Sequence, residues 1–120
     1  MNAIILAAGV GSRLKNFTKN KPKCLVEVNG QAILKYQIDS YLNVGVKQIY
    51  IVLGYKGELI KKYISKTYKE KEKINFIINN HFDSTNNMYS LSLCKHLKNK
   101  SDKYFISNAD VVFDSSILID

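Results

Sequence analysis

The run Ala3-Ile4-Ile5-Leu6-Ala7 is apolar at every position, and Gly9 closes it. A strand with one wet face alternates apolar and polar residues, so an unbroken run of this length fits a parallel strand covered on both faces. Parallel strands need long crossover connections, usually helical, and this narrows the chain to an α/β fold. The rest of the sequence supplies the alternation. Residues 24–28 read as a short strand, followed by the tight-turn dipeptide Asn29-Gly30. Ile33, Leu34, Ile38, Tyr41 and Leu42 recur at helical spacing within 32–43, and Gly45 suits the helix C-terminus. A β-branched run over 48–53 ends at Gly54. Residues 58–68 then form a helix with Leu59, Ile60, Tyr63 and Ile64 on one side and lysines on the other. Residues 74–78 make a third long strand, ending in Asn79-Asn80. A polar loop over 81–86 leads to a helix from about 87 to 97, with Tyr89, Leu93 and Leu97 inward. Residues 103–107 form a fourth strand, and 111–113 a further short extended piece.

Right-handed crossovers carry the first three long strands outward in the order one, two, three, and the fourth can then lie on the other side of the first. The resulting order, 3-2-1-4, reverses direction between strands one and four. Ligands bind at such a switch point, outside the carboxyl ends of the strands. Two segments open there: the glycine loop after strand one and Asn108-Ala109-Asp110 after strand four.

That glycine loop is Gly9-Val10-Gly11-Ser12-Arg13, with a short helical turn expected near 12–15. Glycines let the backbone approach a ligand closely, and backbone N–H groups in such a loop can cradle phosphate oxygens. Two familiar assignments fail. There is no Gly-Lys-Ser/Thr, so the loop is not a Walker loop, and Leu14 stands where a dinucleotide fingerprint wants its third glycine. Arg13 is the one arginine in a chain with seventeen lysines. A chain that uses lysine wherever it needs charge has a specific use for a planar, forked donor, and phosphate is the ligand that such a fork grips. Downstream, the sole proline precedes a lysine in Asn20-Lys21-Pro22-Lys23-Cys24-Leu25, and the two motifs together mark a phosphate-handling segment.

These residues carry a resemblance. Leu-Ala-Ala-Gly-x-Gly-x-Arg-Leu from Leu6 to Leu14, then Pro-Lys-x-Leu from Pro22 to Leu25, resembles the signature of the nucleotidyltransferases that make nucleoside-diphosphate sugars and related activated alcohols. Asn86-Asn87-Met88-Tyr89-Ser90-Leu91 is similar to the corresponding stretch of bacterial phosphocholine cytidylyltransferases, where the sugar enzymes usually carry Gln-Pro-x-Gly-x-Ala. The resemblance covers essentially all 120 residues and implies a Rossmann-like, GT-A-like, mostly parallel sheet with helices on both faces. It implies that Leu6, Ala8 and Gly9 meet base and ribose largely through backbone, and that Gly11 and Arg13 hold the β- and γ-phosphates. Lys23 would reach the α-phosphate and the incoming phosphate. Asn79 would read the base, with Thr85 and Asn86 nearby, and Asp110 would hold Mg²⁺. The family usually shows Gly-Asp at this last point, whereas this chain has Ser107-Asn108-Ala109-Asp110.

The implied reaction moves CMP from CTP to a small phosphorylated acceptor such as phosphocholine and releases pyrophosphate. A sugar 1-phosphate and a phosphorylated amino-acid amide are alternative acceptors. Joining two anions calls for positioning and charge neutralisation and needs no protein nucleophile. Mg²⁺ uses one or two carboxylates besides water and phosphate oxygens, so one strand-end aspartate is chemically sensible. Asp114 is read as a helix N-cap before Ser115-Ser116 and not as a second ligand. Tyr89 is read as packing, and His81 and His96 as surface residues.

Family members run to about twice this length by resemblance. The apolar stretch 116–120, with no helix stop after it, reads as a truncation. The expectation for such a piece is nucleotide binding with little turnover, and self-association through an open edge at Tyr104, Phe105 and Ile106. A non-catalytic nucleotide-binding module is therefore a competing function. The net charge of +8 admits a third, a nucleic-acid-binding domain, but the lysines are scattered, and those between 61 and 73 alternate with Glu70, Glu72 and apolar residues as on a solvated helix face. No nucleic-acid or membrane partner is expected. Cys24 and Cys94 lie in apolar surroundings without disulfide or metal spacing. The N-terminal run is short and lacks a basic leader, so it reads as a strand, and a cytoplasmic protein is the expectation.

Overall fold

The structure, a computed structural model, describes residues 1–8, 22–54, 56–69, 71–79 and 104–109. In chain order these form β1 (Asn2–Ala7), a 3-10 turn (Lys23–Leu25), β2 (Glu27–Val28), β3 (Gln31–Ala32), α1 (Ile33–Asn43), β4 (Ile49–Leu53), α2 (Gly57–Thr67), a second 3-10 turn (Lys71–Lys73), β5 (Ile74–Ile78) and β6 (Tyr104–Asn108). The expected helix over 87–97, the short turn near 12–15 and the extended piece at 111–113 lie outside the described residues.

The main sheet runs β5-β4-β1-β6, and each pair in it is parallel. This is the order 3-2-1-4 expected from crossover handedness. β1 sits between two neighbours and is buried throughout residues 3–7. Its two faces feed separate clusters. Ala3, Ile5 and Ala7 pack with Leu34, Ile38 and Tyr41 of α1 and with Ile60 and Ile64 of α2, so both described helices cover this face. Ile4, Leu6 and Ala8 pack on the other face with Val52 and with the partly buried Tyr50, Ile77 and Tyr104. Two successive right-handed crossovers stepping the same way must place their helices on the same face. Each fully buried Ile or Leu here contributes roughly 1.5–3 kcal/mol relative to exposure.

Helix α1 ends as its glycine requires. Gly45 has φ +86°. Its N–H donates to the Leu42 carbonyl, and the Val46 N–H donates to that of Tyr41, which closes the paired-bond motif that a left-handed residue permits. One expectation is corrected. Residues 24–28 are not one strand: the Leu25 N–H turns back to the Pro22 carbonyl and the Val26 N–H to that of Lys23, which winds 23–25 into the 3-10 turn. What is left, Glu27–Val28, forms a two-residue hairpin with Gln31–Ala32. Asn29 and Gly30 both have positive φ, +54° and +78°, as a two-residue hairpin loop demands. The described part of the last strand runs from Tyr104 to Asn108, one residue past the expected end at 107. It is outermost in the described sheet, and Ile106 on it is 51% exposed.

Candidate functional site

The carboxyl ends of four parallel strands define one edge of the sheet. In register, Leu6 pairs with Asn108 across β1–β6, and Ala7 pairs with Leu53 across β1–β4. The pairing continues past the ends of the strands. The Ala109 N–H donates to the Leu6 carbonyl at 3.0 Å, and the Asn79 N–H donates to the Leu53 carbonyl at 2.8 Å. Ala8 and Ala109 are both buried and lie just past the ends of two neighbouring strands, which run about 4.8 Å apart. The first leads to the glycine loop and the second to Asp110. Asn79 follows β5, beyond β4 on the same edge, and is 1% exposed. A hollow of about 280 Å³ opens beside these ends, between Leu53, Gly54, Lys56 and Ile78.

Lys23 belongs to the 3-10 turn. Pro22 before it is extended and fully buried, and Cys24 after it is 2% exposed in the main core. Two buried neighbours thus fix the backbone from which a half-buried lysine projects. Burial pushes the Cys24 thiol up to about 12, so it is a packing group and not a nucleophile at neutral pH. Mapping of alkylated peptides at pH 8 should find Cys24 unmodified in the folded protein and modified in denaturant; rapid native labelling would contradict this burial.

Helix α1 packs against the turn bearing Lys23 and is also bonded to the end of β6. The Gln37 Nε2 donates to the Asn108 carbonyl at 2.7 Å, and the Ser107 hydroxyl donates to Gln37 Oε1 at 2.8 Å. The Tyr41 hydroxyl in turn donates to Ser107 Oγ at 2.8 Å. A carbonyl can only accept, so the amide orientation of Gln37 follows from its partners. Burial raises the pKa of the Tyr41 hydroxyl, with the Ser107 bond opposing, so Tyr41 is a donor at neutral pH. The rings of Tyr41 and Phe105 lie 5.7 Å apart and add an apolar contact to the same junction.

Of the residues singled out in the sequence, Leu6, Ala8 and Asn79 share the strand-end edge, and Lys23 sits on the turn beside α1. Gly9, Gly11, Arg13, Thr85, Asn86 and Asp110 lie outside the described residues, as do His81, Tyr89, His96 and Asp114. Among the described residues no three His, Cys, Asp or Glu side chains cluster in a way that could hold a metal ion. Sequence reading missed Gln37. Its signal was a polar residue inside the stripe Ile33, Leu34, Ile38, Tyr41, where a side chain cannot face water.

The chain is 39% identical over 118 residues to the CTP:phosphoglutamine cytidylyltransferase of Campylobacter jejuni, covering 94% of this chain and 45% of that protein. It is 40% identical over 113 residues to the choline-phosphate cytidylyltransferase of Streptococcus pneumoniae, covering 90% of this chain and 47% of that protein. The solved structure of the CTP:phosphocholine cytidylyltransferase from Streptococcus pneumoniae superposes with a TM-score of 0.79 at 32% identity, over 96% of this chain and 49% of that one. The chain spans about half the length of the curated relatives it matches. Residues 2–118 match the sequence profile of the nucleotidyl transferases, and the chain belongs to that family.

Proposed function

We propose that this chain forms the nucleotide-binding part of a cytidylyltransferase that moves CMP from CTP to a small phosphorylated acceptor. The observation that carries the reading is the β1–β6 pairing. The Ala109 N–H to Leu6 carbonyl bond makes the glycine loop and Asp110 continue from adjacent points on one sheet edge. In the reaction, an acceptor phosphate oxygen attacks the α-phosphorus, the bond to the β-phosphate's bridging oxygen breaks, and pyrophosphate leaves with that electron pair. Arg13 and the Gly11 backbone hold the β- and γ-phosphates as the leaving group gains charge. Lys23 offsets the repulsion between the α-phosphate and the incoming phosphate. Leu6, Ala8, Gly9 and Asn79 hold the nucleoside, with Thr85 and Asn86 alongside.

A divalent metal is general to the family. The donor chemistry here, one carboxylate following a strand end whose backbone is anchored, suits Mg²⁺, which takes its remaining ligands from water and phosphate oxygens. When bound at Asp110, Mg²⁺ would supply charge neutralisation on the triphosphate. No described helix is long and apolar enough to cross a membrane. Cytoplasmic residence is part of the same proposal.

Relatives acting on two different acceptors match about equally well, so phosphocholine and phosphoglutamine are both candidates. The test is pyrophosphate release by the full-length protein, with each of four nucleoside triphosphates crossed with phosphocholine, phosphoglutamine and a sugar 1-phosphate. Release with CTP and one of the first two is the expected result. Silence of CTP with every acceptor would overturn the cytidylyl assignment.

A further inference from the structure

Gln37 is buried at 0% exposure in the middle of the apolar face of α1, yet no phosphate-type motif includes it. A leucine there would carry no polar group of its own to satisfy. What Gln37 does instead is bond the last strand at two successive residues. Its amide N–H takes the Asn108 carbonyl, and its carbonyl takes the Ser107 hydroxyl, which Tyr41 holds from the other side. The chain of donors runs one way, from Tyr41 through Ser107 to Gln37 and on to Asn108. It grips the backbone just before Ala109, and Ala109 is itself bonded to Leu6. The strand end is thus held from the helix side by Gln37 and from the β1 side by Leu6, two residues and one residue ahead of Asp110.

We infer that Gln37 is a positioning residue for the Asp110 carboxylate, acting through Ser107 and the Asn108 backbone to fix where that carboxylate meets the metal–triphosphate complex. The inference rests on the reading of Asp110 as the metal ligand. A double anchor on the two residues immediately upstream fixes the backbone from which Asp110 continues, which strengthens binding by lowering the ordering cost. Gln37 touches neither substrate nor metal in this role.

The test reads metal linkage in place of turnover. CTP affinity of the full-length protein is measured by calorimetry in Mg²⁺ and again in EDTA, and the ratio of the two is the Mg²⁺-linked tightening. Gln37→Met keeps the length and apolar packing of the side chain and removes its bonds to Asn108 and Ser107. It should lower the ratio about tenfold, as loss of an outer-sphere partner does, while affinity in EDTA stays at the parent value. Ser107→Ala, which cuts the link to Tyr41 and leaves the Asn108 bond, should lower the ratio less. If Gln37→Met does not fold, the ratio for Ser107→Ala decides alone: a fall supports the inference and a parent value overturns it. A residue with a merely structural role would lower the thermal midpoint and leave the ratio intact. Asp110→Asn separates the two claims. If it abolishes the tightening while Gln37→Met leaves it at the parent value, the inference fails and Asp110 stands. If Asp110→Asn leaves the tightening intact, the reading of Asp110 fails and takes the inference with it.

Discussion

Lys23→Met is expected to lower kcat/KM of the full-length enzyme by about 10²–10³, the usual cost of removing one charged donor from a developing anionic centre. The loss should fall mainly on kcat, because the ammonium matters most when two phosphates share one phosphorus. Methionine matches the lysine stem, so packing beside Pro22 and Cys24 is retained. The turn is closed by the backbone bonds from Leu25 to Pro22 and from Val26 to Lys23, which the substitution does not touch. The thermal midpoint, measured alongside, separates a loss of rate from a loss of fold. An unchanged kcat/KM would show that Lys23 does not face the reacting phosphates.

Asp110→Asn is expected to cost about three orders of magnitude in kcat/KM, since loss of the metal's anchoring charge removes several kcal/mol of transition-state stabilisation. Asparagine keeps the shape and an acceptor oxygen but not the anion, so the defect should appear as a raised Mg²⁺ requirement and not as unfolding. Rate measurements across a Mg²⁺ titration check this. A parent-like half-saturation would remove Asp110 from the metal.

Much of the fold was legible because local chemistry and topology agreed. Ala3 to Ala7 could only be an interior parallel strand, and the structure buries all five residues. The strand of 74–78 has the same bounds in the structure as in the sequence reading, and Gly45 ends its helix by the bond pattern that its conformation allows. The sheet order came from right-handed crossovers together with a fourth strand placed on the free side of the first. The misreading at 24–28 had a physical origin: the run Cys24-Leu25-Val26 is apolar enough for a strand, but the extended Pro22 offers its carbonyl to Leu25, and the turn wins. The residues proposed to handle phosphate lay in motifs. The network of Gln37 with Ser107 and Tyr41 was hidden because its helix and strand partners are about 70 residues apart in sequence. A lone glutamine on a helix gives no hint of which strand it will meet.

A crystal structure of the full-length protein with Mg²⁺ and a non-hydrolysable CTP analogue would test most directly whether one triphosphate is gathered by Arg13, Lys23 and a metal on Asp110. The expected result is a triphosphate lying over the carboxyl ends of β1 and β6, with the Lys23 ammonium on its α-phosphate and the Arg13 guanidinium on its far end. A nucleotide bound at another surface, with those three side chains pointing apart, would contradict it.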